Sequence, residues 1–85
     1  MTPREITLAA YNYLMGVIPP TQKISDIRVE EITSKGEGGK KLWNVILSYD
    51  ATGEFVFEKK REYKEFKIDD TGKVISMTIK KIEKL

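Results

Sequence analysis

Two periods divide this chain. Between Ile6 and Val17 the apolar residues fall at helical spacing: Ile6, Ala9, Ala10, Tyr13 and Val17 make one stripe along a helix expected from Thr2 to Gly16. Leu8, Tyr11 and Met15 make a second stripe beside it, leaving a narrow polar face carried by Arg4, Thr7 and Asn12. Such a helix must be covered over more than half its circumference, by a sheet wrapped around it or by a partner chain. Its ends are written locally. Thr2 and Glu5 have the spacing of a capping box, and Pro3 takes the first helical position, where a missing N–H costs nothing. Gly16 is the expected stop, and Pro19-Pro20 forbids continuation.

From Ile24 onward the period drops to two. Ile27 and Val29 alternate with charged residues, and Trp43, Val45, Leu47 and Tyr49 alternate again. Leu42 and Ile46 make that second strand apolar on both faces, which places it centrally, with Trp43 in the core. Phe55 and Phe57 begin a third strand, and Val74 to Ile79 form a fourth in which Ile75, Met77 and Ile79 share a face. Ser34 to Gly39 reads as a flexible hairpin loop; Asp50-Ala51-Thr52-Gly53 and Asp69-Asp70-Thr71-Gly72 read as four-residue turns. Phe55 and Phe57 are odd-numbered while Phe66 and Ile68 are even, so a β-bulge is expected between Lys59 and Glu62. The fold class is α+β: an N-terminal helix packed on a curved four-stranded antiparallel β-meander, in the order α-β-β-β-β.

A length of 85 residues suits a single domain, 1–85, with a modest core. Its 40% apolar content is enough to build that core. The chain has no Cys and no His, which removes Cys–His and Ser–His–Asp catalysis and imidazole metal sites. Other chemistry-bearing patterns fail on context. Asp70-Thr71-Gly72 matches the aspartic-protease triplet, but Asp69 precedes it and Lys73 follows, where that pattern wants apolar and small residues. In Gly36-Glu37-Gly38-Gly39-Lys40 the next residue is Lys41, not Ser or Thr, and a strand follows where a phosphate loop needs a helix. Ser34-Lys35 lies beside a glycine loop with no rigid pocket, and the neighbours in Glu30-Glu31 point to opposite faces of a strand. We therefore expect no enzyme, no metal and no cofactor. The N-terminal residues lack a signal-peptide pattern and no apolar run approaches bilayer length, so a cytoplasmic location is expected, without membrane association.

The net charge of +2 reflects solubility more than a polycation. One run departs from this balance. Lys59, Lys60, Arg61, Tyr63, Lys64 and Lys67 interleave cations with an aromatic, an arrangement that on a strand can stack and neutralise single-stranded nucleic acid. The competing reading is a solvated strand whose alternating charges prevent edge-to-edge aggregation.

Ile27-Arg28-Val29-Glu30-Glu31-Ile32, Trp43-Asn44-Val45-Ile46-Leu47 and Phe66-Lys67-Ile68-Asp69-Asp70-Thr71-Gly72-Lys73-Val74 resemble, in order and rhythm, PepSY-type domains and the wider cystatin-like folds. The stretch from Asp50 to Glu65 is longer than that pattern expects, and the inhibitory loop of true cystatins is missing. The resemblance implies binding or regulating another protein, such as a peptidase, without catalysis. The expectation is a non-catalytic protein-interaction or regulatory module, with Leu8, Tyr11 and Met15 as its partner-binding or self-associating residues and nucleic-acid binding through the basic third strand as the alternative.

Overall fold

The computed structural model describes residues 2–19, 22–52 and 59–80. One helix, α1 (Pro3–Val17), precedes four strands: β1 (Lys23–Glu37), β2 (Lys40–Thr52), β3 (Lys59–Asp69) and β4 (Val74–Ile79). The strands form one antiparallel sheet in sequence order, β1-β2-β3-β4, with α1 against one face. This is the expected α-β-β-β-β architecture.

α1 begins where the cap predicts. The Glu5 N–H donates to the Thr2 hydroxyl at 3.2 Å, and the Thr2 N–H donates to Glu5 Oε1 at 2.9 Å. The Thr2 N–H first, and then the Thr2 hydroxyl, hold the Glu5 carboxyl below its ordinary range. The helix runs through Gly16 to Val17, one residue past the expected stop, and Ile18 closes it by donating its N–H to the Leu14 carbonyl at 3.1 Å.

The buried stripe differs from the expected one. Ile6, Ala10 and Leu14 are fully buried, whereas Tyr13 and Val17 are exposed. Ala10 sits midway between the other two, where a small side chain lets the helix approach the sheet closely. Tyr13 flanks the contact, meeting Phe66 edge-on with ring centroids 6.3 Å apart. Beneath the helix lie Trp43, Val45, Leu47, Tyr49 and Ala51 of β2 with Phe66 and Ile68 of β3.

Several strand details depart from expectation. The Ser34–Gly39 loop does not exist as such: β1 continues to Glu37, and Gly38-Gly39 alone make the turn, at φ +55° and +77°. Two consecutive positive φ values are what a tight hairpin requires, and glycine supplies them without strain. Asp50, Ala51 and Thr52 are not a turn but the end of β2, paired with Arg61, Lys60 and Lys59; Gly53 lies outside the described residues. Ala51 is buried in the core, which rewards continued pairing.

The bulges are also elsewhere. From Lys59 to Asp69, β3 pairs with β2 without interruption, so no bulge lies between Lys59 and Glu62; Phe55 and Phe57 fall outside the described residues. The register shifts instead in β1, between Ser25 and Arg28 and between Val29 and Glu31, with Asp26 at φ +53°. In β4 a shift at Ile75 puts Val74 and Met77 against the core and leaves Ile75 exposed. Ile75 therefore does not share the core-facing side with Met77, and Ile79, although on Met77's side, is exposed. The Asp69–Gly72 turn forms as expected, with Gly72 at φ +91° and its N–H donating to the Asp69 carbonyl at 3.0 Å.

Candidate interaction surface

The second apolar stripe of α1 remains uncovered by the sheet. Leu8, Tyr11 and Met15 expose 52%, 38% and 45% of their surface. Among the described residues the sheet buries one narrow strip of the helix and does not supply the wrapping that the sequence suggested. Leu8 and Tyr11 form one wall of an apolar groove of about 300 Å³, completed by Thr7, Ile27, Val29 and Leu47. Val29, on the edge strand, is 46% exposed. The groove thus runs between the free flank of the helix and the outermost strand, with Leu47 of the core at its floor.

The bulges of β1 build the opposite wall. Ile24, Val29 and Ile32 pair with Ala51, Leu47 and Val45, all helix-facing positions of β2. Their numbers change parity along the strand, so an ideal strand would turn part of the set away from the helix. The two shifts restore the phase and bring Ile27 and Val29 beside Leu8 and Tyr11. Sequence reasoning found the helix half of this surface and missed Ile27, Val29 and Leu47 as its partners. The signal was the parity change from Ile24 to Ile27 and back at Ile32, a pattern sought in the third strand instead.

The outer face of the sheet is polar and internally paired. Arg61 donates to Ser48 Oγ at 2.7 Å and to Asp50 Oδ1 and Asp26 Oδ2 at 3.2 Å each, tying three strands together. Asp26, in the first bulge, also pairs with Arg28 at 2.8 Å. Asn44 donates to Glu65 Oε2 at 3.3 Å, and Lys80 approaches the same oxygen at 3.5 Å. The buried Asn44 carbonyl oxygen has no protein partner among the described residues and borders a cleft of about 490 Å³.

The basic residues of β3 do not gather on one face. Arg61, Tyr63 and Lys67 pair with Asp50, Ser48 and Asn44 on the outer face, together with Glu65. Lys59, paired with Thr52, stands in register phase with them, whereas Lys60 and Lys64 pair with Ala51 and Leu47 on the helix side. Arg61 spends its donors on Ser48, Asp50 and Asp26.

At the far end of the sheet Trp43 is buried, as expected, and its indole N–H donates to Asp70 Oδ1 at 3.1 Å. That bond holds the Asp70 carboxyl below its ordinary range. Lys41 lies over the indole at 4.6 Å. Asp69 is likewise lowered, by the Thr71 hydroxyl first and then the Lys73 N–H, so the Asp-Thr-Gly triplet is held in turn geometry.

Among the described residues no three Asp or Glu side chains converge as a metal site, and no helix is long and apolar enough to cross a membrane. The chain matches no known protein family, no curated protein and no solved structure.

Proposed function

We propose that this domain is a non-catalytic protein-interaction module that receives an amphipathic helix of a partner protein in the groove between α1 and β1. The observation that carries the reading is the exposed stripe of Leu8, Tyr11 and Met15, of which Leu8 and Tyr11 line the groove with Val29 over the buried Leu47. Helix-in-groove recognition uses apolar anchors at this spacing. A partner strand fits less well, because both register shifts of β1 fall beside the groove and break the regular ladder that strand addition requires. The likeness to PepSY-type domains is compatible with a peptidase as the partner. Nucleic-acid binding has less support, since the cations of β3 divide between two faces and Arg61 is engaged within the sheet.

The test is panning of a phage-displayed library of helical peptides against the protein immobilised too sparsely for two copies to touch. The expected result is enrichment of peptides with apolar residues at i, i+3 and i+7, lost on the Tyr11→Glu variant. No enrichment, or enrichment that Tyr11→Glu leaves intact, overturns the reading.

A further inference from the structure

We infer that the helix received by this groove is α1 of a second copy of the chain, packed antiparallel about a two-fold axis at Tyr11. This rests on the interaction reading above and adds the identity of the partner.

Spacing gives the first argument. Leu8, Tyr11 and Met15 stand at i, i+3 and i+7, the interval of a helix–helix seam in which side chains of one helix fill gaps of another. This seam is distinct from Ile6, Ala10 and Leu14, which face the sheet. An antiparallel pair sets Leu8 of each copy against Met15 of the other and Tyr11 against Tyr11. The same patch serves both sides, as a two-fold interface demands.

Charge gives the second. α1 carries Glu5 in its first turn and no basic residue in its last. Its own last turn thus supplies no cation to the C-terminal carbonyls, and among the described residues the cation lining the cleft at that end is Lys64 of β3. Arg4 is exposed, and no ion pair holds it among the described residues. Arg4 stands four residues before Leu8, and Pro19 four residues after Met15. The antiparallel register therefore carries each Arg4 alongside the end of the other copy's helix. A parallel register would set Arg4 against Arg4 and bring neither to a helix C-terminus.

The chain has no native cysteine, so single substitutions give clean cross-links. Sedimentation should show a dimer that dissociates on dilution in the roughly micromolar range. Under oxidation Tyr11→Cys should cross-link to itself. Leu8→Cys should cross-link with Met15→Cys in a mixture but not with itself, with Lys35→Cys setting the background. Tyr11→Glu should weaken the dimer by at least about tenfold; Met15→Glu, at a more exposed position, repeats that arm if Tyr11→Glu fails to fold. A dimer that neither variant weakens, or Leu8→Cys cross-linking chiefly to itself, overturns the inference. A chain monomeric at every concentration that still selects Tyr11-dependent helical peptides overturns the second copy alone. A monomer that selects none overturns both proposals.

Discussion

The two faces of β2 are buried to different extents and by different physics. On the helix side, Val45, Leu47 and Tyr49 are covered by α1 and by Phe66 and Ile68, so the burial is apolar against apolar. On the outer side, Ile46 and Ser48 are just as enclosed, although no second layer of secondary structure lies over them among the described residues. There Arg28 and Tyr63 flank Ser48, and Glu31 and Glu65 flank Ile46, on the neighbouring strands, while Arg61 donates to the Ser48 hydroxyl. A thin domain can thus enclose the middle of its central strand on both sides with a single helix. The apolar helix face should resist salt, and the ion-paired outer face should respond to it.

The largest expected effect tests the helix face. Phe66→Ala removes a fully buried ring from under α1 and from its edge contact with Tyr13, and should cost about 3–5 kcal/mol in chemical denaturation. That loss should be the same at low and high salt. An outer-face variant should behave otherwise. Arg61→Met keeps most of the covering stem but removes the guanidinium from Ser48, Asp50 and Asp26, at an expected cost of about 1–3 kcal/mol. Its difference from the wild type should shrink in high salt. Equal salt responses for the two variants would erase the distinction.

Acid probes a third region, the capping box of α1 and the Asp69–Gly72 turn, and neither face of β2. Asp69, Asp70 and Glu5 all have folded-state carboxyls below their ordinary range. A lowered folded value means that the unfolded chain binds protons first as pH falls. Stability from these groups is present above about pH 4 and is lost as pH drops through their folded values. Thermal melts should show this decline below about pH 4, reduced in Trp43→Phe, which removes the indole donor to Asp70. Burial, and then the hydrogen bond to Glu62, raises the Tyr49 hydroxyl far into the alkaline range. The stability this confers is present below about pH 10 and fades above it. The smallest effect is expected from Lys41→Ala, which removes the cation over Trp43 for about 0.5–1 kcal/mol, detectable as a shift in the denaturation midpoint.

Element identity and order were legible because each signal is local. The capping box needs Thr2, Pro3 and Glu5 alone, the Asp69 turn needs Thr71, Gly72 and Lys73, and the two-residue alternation of β2 needs no partner strand. Leu8, Tyr11 and Met15 were legible as a stripe for the same reason. What resisted reading was phase. Whether Leu14 or Tyr13 is buried depends on where α1 crosses the sheet, and both lie on apolar sides of the same helix. The bulges at Asp26 and Glu30 depend on which face of β1 the sheet needs to be apolar, a decision made jointly with Ala51, Leu47 and Val45.

The sequence by itself therefore determined the helix, the central strand, the final turn and the absence of thiol and imidazole chemistry, all fixed by residue type or by neighbours within a few positions. The tertiary structure decided which stripe of α1 is buried, where β1 shifts register, and that Ile27, Val29 and Leu47 complete a groove with Leu8 and Tyr11. Those outcomes turn on burial, which is a property of surfaces meeting in space. A chain with several apolar stripes leaves that choice open until they meet.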